Sequence, residues 1–168
     1  MKFRKGICLA FGLLVSFPLL ASEKDIENTI AISLPTIMSK PRVSYERYIG
    51  DKLGLAVYGG IGNGKANTGD TYKLWEIGGQ LTKYFVREFV GPHVGAEIKY
   101  VSGARLSDSN PVVNYAYGLY VGQKMSLTAN NRFFMLLNLG VQYIDIHDFG
   151  TRNSGIDLLG DVKAAWSF

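Results

Sequence analysis

The stretch Gly160-Asp161-Val162-Lys163-Ala164-Ala165-Trp166-Ser167-Phe168 decides the fold. Small and apolar residues hold positions 160, 162, 164, 166 and 168, while Asp161, Lys163 and Ser167 lie in the other phase. A period of two describes a strand with one apolar face and one wet face. In water, an apolar edge strand finishing on a bare aromatic invites aggregation. In lipid the same strand is stable inside a closed barrel, where every backbone group is paired between strands.

The alternation recurs upstream. Residues 72–85 set Trp75, Ile77, Gly79, Leu81 and Phe85 against Glu76, Gln80, Thr82 and Tyr84. Residues 90–101 set Pro92, Val94, Ala96, Ile98 and Tyr100 against His93, Gly95, Glu97 and Lys99. Residues 114–128 oppose Tyr115, Tyr117, Leu119 and Val121 to Ala116, Gly118, Gly122 and Lys124. Residues 132–146 oppose Phe133, Met135, Leu137, Leu139, Val141 and Tyr143 to Asn138, Gly140 and Gln142. Shorter versions lie at 43–49 and 53–61, and at 28–34, where Pro35 interrupts the ladder. With 156–168 this predicts eight strands, several long enough to cross a membrane at a tilt. The connections at 50–52, 86–89 and 129–131 are tight, and those at 62–71, 102–111 and 147–154 are longer and polar. Short turns on one side and longer loops on the other are the pattern of an outer-membrane barrel. The expected fold is all-β: an eight-stranded antiparallel up-and-down transmembrane barrel.

The two phases divide the charges. The apolar phase carries chiefly Arg47 and Lys83, both near strand ends, where a long side chain reaches the headgroups. A charge at mid-membrane would cost about 2–4 kcal/mol. The other phase carries Arg42, Glu46, Glu76, Glu97, Lys99, Lys124, Asp157, Asp161 and Lys163, with His93 among them. An eight-stranded barrel is just wide enough for its own side chains, so these residues are expected to form a mutually neutralising lumenal network, not a channel lining. The 10 tyrosines and 9 phenylalanines fit interfacial girdles by their outward phase and strand-end clustering.

The N-terminal segment reads differently. Lys2, Arg4 and Lys5 precede an apolar run from Ile7 to Leu20 and a small-residue exit at Leu20-Ala21-Ser22. That is the pattern of a cleaved signal peptide over 1–21, too short to span a bilayer comfortably, with the barrel domain at 22–168. Three of the 18 basic residues fall in it, leaving 15 against 14 acidic ones, a net charge of +1. This balance gives no support for nucleic-acid binding. Cys8, the single cysteine, lies ahead of the apolar run, so the remainder has no disulfide and no thiolate nucleophile.

The chain resembles the small eight-stranded outer-membrane proteins of Gram-negative bacteria, of the OmpX and OmpA transmembrane-domain type, along essentially its whole length. The resemblance implies that Phe168, Trp166, Ala164 and Val162 are the signal read by the barrel-assembly machinery. It implies outer-membrane lipid and lipopolysaccharide as surroundings, and a monomer.

Candidate chemistry is sparse. His93 and Glu97 share a face and, with Asp161 or Lys163, would compose an acid–base site; the alternative is a packed lumenal histidine. His147, Asp148 and Ser154 are candidates for a lipid-acting hydrolase at the outer rim, against an ordinary polar loop. Two histidines and no second cysteine leave no transition-metal set, and Asp70, Asp108 and Asp148 have no calcium-loop spacing. Gly59, Gly60, Gly62 and Gly64 precede a strand and not a helix, so they fail as a phosphate loop. Aromatic cover of glycine is expected instead, with Gly59 facing Trp75. No catalytic residue, cofactor or metal is expected. The function expected is structural, adhesive or surface-interacting, carried by loops 62–71, 102–111 and 147–154. The alternatives are an outer-membrane enzyme acting on lipid or lipopolysaccharide, and a soluble periplasmic barrel with its apolar phase inward.

Overall fold

A computed structural model describes residues 28–34, 41–49, 52–65, 71–86, 90–105, 111–128, 132–148 and 151–168. The signal-peptide expectation at 1–21 lies outside them. Eight strands follow in chain order: β1 (Asn28–Leu34), β2 (Arg42–Tyr48), β3 (Leu53–Lys65), β4 (Thr71–Tyr84), β5 (Gly91–Arg105), β6 (Pro111–Ser126), β7 (Phe133–Asp148) and β8 (Thr151–Ser167). Each pairs antiparallel with its neighbour, and β1 pairs with β8 to close the barrel.

Closure runs from Thr29↔Ser167 to Leu34↔Val162. Phe168 completes it: its N–H donates to Asn28 O and its carbonyl accepts from Asn28 N, both at 2.9 Å. The apolar phase points outward throughout. Ile32, Val43, Leu119, Val121, Leu139 and Val141 are exposed, while Glu46, Gln80, Glu97 and Asp161 are buried. A barrel with an apolar interior, as a soluble ligand carrier requires, is therefore excluded. Arg47 and Lys83 take the outward phase, Lys83 exposed and Arg47 half-buried.

Three hairpins are longer than the alternation indicated. The strands run into the stretches expected as loops at 62–71, 102–111 and 147–154, with pairs out to Lys65↔Thr71, Ala104↔Pro111 and Asp148↔Thr151. Beyond the apolar belt both faces of a strand meet water, so period two disappears while hairpin hydrogen bonding continues. The first hairpin is short: β1 and β2 have 7 residues each, against 16 and 17 in β7 and β8.

At the inner end, Gly91 takes a positive φ of 97° in the β4–β5 turn, a conformation open to glycine. A small apolar cluster of Ala31, Phe134, Leu136 and Ala165, with Val90 against it, occupies the same end of the lumen. Phe134 and Leu136 lie in the inward phase, which makes this cap apolar where the centre of the lumen is charged.

Candidate functional site

The lumen is the most elaborate part of the molecule, and its side chains are layered. At its centre Arg42, from the first residue of β2, reaches three carboxylates on three strands. Arg42 Nη2 lies 2.8 Å from Asp161, Nε 3.5 Å from Glu76 and Nη1 3.9 Å from Glu97. Its guanidinium also stands 4.9 Å from the centre of the Tyr58 ring. Lys99 pairs with Glu97 and Lys163 with Asp161, both at 3.5 Å. Gln80 links the pairs: its Nε2 donates to Glu97 at 2.8 Å and its Oε1 accepts from Lys163 at 2.9 Å. Three cations thus meet three anions. Ser33 of β1 adds a hydrogen bond to Asp161 at 3.3 Å.

Nearer the inner end the chemistry becomes aromatic. Lys124 is fully buried and its ammonium stands over the rings of Tyr48, Tyr84 and Phe134, at 4.8, 5.7 and 4.4 Å. It donates to the Tyr48 hydroxyl. Tyr84 packs edge-on against Tyr48 and donates to Glu46 at 2.8 Å. An ammonium set among ring faces in this way gains cation–π attraction, which is stronger in a desolvated site than in an exposed one.

His93 belongs to this aromatic layer. Its Nε2 is 2.8 Å from Asn138 Oδ1, and its ring lies between Tyr84 and Tyr120. Glu97 is four residues further along β5, about 13 Å at strand rise, and its partners are Arg42, Lys99 and Gln80. The structure therefore does not bring His93 and Glu97 together. Asp157 is also apart from the central cluster: it is exposed and accepts a hydrogen bond from Leu158 N at 2.8 Å. At the outer rim His147 pairs in register with Arg152, Asp148 with Thr151 and Ser154 with Asp145. Asp145 and Ser154, as direct partners, share one face there, and the side chains of His147 and Asp148 lie outside the described residues. Among the described residues no cluster of three or more His, Cys, Asp or Glu has the arrangement of a metal site.

Aromatic cover of glycine is present, but not where the sequence suggested. Gly59 pairs with Ile77, and Trp75 pairs with Ile61, because the partner of each β3 residue lies two positions further along β4 than a Gly59–Trp75 pairing requires. The cover lies on the lumenal face instead. Tyr58 is the direct partner of Gly78 and Tyr120 that of Gly95. A β-carbon on either glycine would run into the tyrosine ring beside it. Tyr120 then reaches Thr82, hydroxyl to hydroxyl, at 2.7 Å. The sequence alternation puts Gly95 in the inward phase but carries no signal for which ring covers which glycine.

Between the aromatic layer and the charge cluster there is free volume of only about 10 Å³. Above the charge cluster the lumen opens into a vestibule of about 210 Å³ at the outer end.

No protein-family model matches the chain, and no curated protein matches it in sequence. Two solved structures do in fold. The crystal structure of Neisserial surface protein A (NspA) superposes with a TM-score of 0.54 at 19% identity, over 84% of this chain and 92% of that one. The backbone structure of the Yersinia pestis outer membrane protein Ail, in a phospholipid bilayer nanodisc, gives 0.47 at 10% identity, over 86% and 100%. The chain shares with the first the small eight-stranded closed barrel.

Proposed function

We propose that this chain is a small integral outer-membrane protein, a monomeric barrel with a filled lumen that presents its outer rim for contact with other molecules at the cell surface. One observation carries the reading. The barrel wears an unbroken outward belt of apolar side chains while acids, bases and amides fill its inside. That inversion is stable only where the surroundings are lipid. In this reading residues 1–21 are the leader, 22–168 the barrel, and Phe168, Trp166, Ala164 and Val162 the segment recognised during assembly. Trp166 and Phe168 stand exposed on the outer face with ring centres 5.4 Å apart, and Phe133 stacks on Trp166 at 6.5 Å. They form an aromatic girdle at the inner interface. Outer-membrane lipid and lipopolysaccharide are the surroundings and the assembly machinery a transient partner. In this reading the central ion pairs fill and neutralise the lumen.

The test is electrophoresis of isolated outer membranes with and without boiling. A mobility shift on heating is the expected result; recovery of the protein in the periplasmic fraction would overturn the reading.

A second reading, a lipid-acting hydrolase, is favoured only by the register that pairs Asp145 with Ser154 two residues from His147. His147→Ala should change the lipid A mass profile if it holds, and leave it unchanged if it does not.

A further inference from the structure

The vestibule at the outer end of the lumen is lined by Arg42, Glu76, Lys99, Asn114, Gln142 and Asp157, with Val101, Ile144 and Leu159 between them. We propose that it is a binding site for one neutral sugar ring, and this rests on the reading that the outer end faces the cell exterior.

The hydrogen-bonding demand of the lining comes first. Gln142 is more than nine-tenths buried. Its Nε2 donates to Leu158 O at 3.4 Å, which fixes the amide and leaves Oε1 buried and without a hydrogen bond. Asn114 Oδ1 is in the same state, and so is a donor, Arg42 Nε, which sits 3.5 Å from Glu76 outside bonding geometry. Buried polar atoms left unpaired are costly, so each calls for a partner. The lining therefore offers open acceptors and an open donor together.

Charge then selects the ligand class. Arg42 and Lys99 oppose Glu76 and Asp157 in the lining, so it is balanced. A metal cation would satisfy the amide oxygens but would meet two cations and leave Arg42 Nε unpaired. An anion would satisfy Arg42 and Lys99 but would meet two carboxylates. A hydroxyl donates and accepts, so a molecule with several of them answers every unpaired atom without adding charge. The apolar share of the wall points the same way: Val101, Ile144 and Leu159 give the C–H face of a pyranose something to pack on. Volume admits such a ligand, since 210 Å³ is far above the roughly 10–15 Å³ that a single water requires on the same measure. Gln142 and Asp157 are direct partners across β7 and β8, so two of the binding groups are set by sheet register and not by a loop.

The full barrel, refolded in detergent micelles with labelled side-chain amides, is titrated with glucose, galactose and mannose and with their methyl glycosides. Saturable shifts at the Gln142 and Asn114 amides are expected, with a dissociation constant on the order of 1 mM. Saturation by the free sugars alone marks capture of a free sugar; saturation by the methyl glycosides as well marks capture of a glycan end. Leu159→Trp, which fills the cavity, and Gln142→Leu, which removes the open acceptor, should each abolish the shifts while the barrel still shows heat-modifiable mobility. Absence of saturable shifts up to about 100 mM sugar, shifts that persist in Leu159→Trp, or saturation by calcium or phosphate in place of sugar would each overturn the site. A heat-modifiable barrel in the outer membrane with no sugar response would overturn this inference alone and leave the envelope reading standing.

Discussion

Arg42 Nη2 lies 2.8 Å from the Asp161 carboxylate, and the two residues come from β2 and β8, the strands that flank β1 on either side. The ion pair therefore spans the closing strand from inside the lumen. Ser33 of β1, bonded to the same carboxylate, ties the spanned strand to the clamp. The cluster is buried, so its weight lies in the penalty for breaking it, not in net gain over an apolar filling.

Arg42→Ala strips Glu76, Glu97 and Asp161 of their shared cation. It should lower the unfolding free energy by about 3–5 kcal/mol, read by denaturant titration in detergent. Asp161→Asn should cost less, because Arg42 keeps Glu76 and Lys163 keeps Gln80. The reverse order would show that Arg42 is not the hub.

Gly78→Val and Gly95→Val should each displace the tyrosine resting on that glycine and cost about 1–3 kcal/mol. Gly155→Ala is the control. A β-carbon there meets nothing within 4 Å, so the change should stay within about 0.5 kcal/mol. Equal losses at all three sites would mean that strand propensity, not the rings, is responsible.

Leu119 is 66% exposed near the middle of β6, opposite Ala96 and Val141. Leu119→Arg should cost about 2–4 kcal/mol in a bilayer, and Ile156→Arg, near the outer rim, about 0–1. Refolding yields into lipid vesicles check the pair. Similar yields would deny that the outward face has a lipid-buried centre.

The filled lumen predicts electrical silence. Purified protein in a planar lipid bilayer should show no discrete conductance steps. The central ion pairs and the Lys124 cage leave only about 10 Å³ free between them. Reproducible steps would contradict that packing.

How much of this was legible in the sequence follows from where water and lipid lie. Within the belt, lipid on one face and a polar lumen on the other force period two, so the phases of Leu119, Gln80, Glu97 and Lys163 could be read directly. Past the belt that contrast vanishes. The outer parts of β3 to β8, at Asn63 or His147, looked like loops for that reason. Register was also hidden: nothing in the spacing of Gly59 and Trp75 says that the partner of Gly59 lies two positions further along β4. Phe134 and Leu136 are adjacent apolar residues of the inward phase, and that pair is the legible sign of the cap. The partners of Arg42 were beyond reach, because pairing across a lumen depends on shear and not on sequence distance.

The brevity of β2 bears on how the barrel sits. Its seven residues, between Pro41 and Ile49, at about 3.3 Å each and a tilt of 35–45° stand roughly 16–19 Å high, short of an apolar band about 25 Å tall. The wall at β2 is thus lower than on the flank of β7 and β8, with 16 and 17 residues. A bilayer meets such a mismatch by thinning locally or by letting the protein lean, at fractions of a kcal/mol per Å. The lipid beside β2 is therefore the most compressed, and the barrel axis should incline away from the membrane normal along the line joining the two flanks.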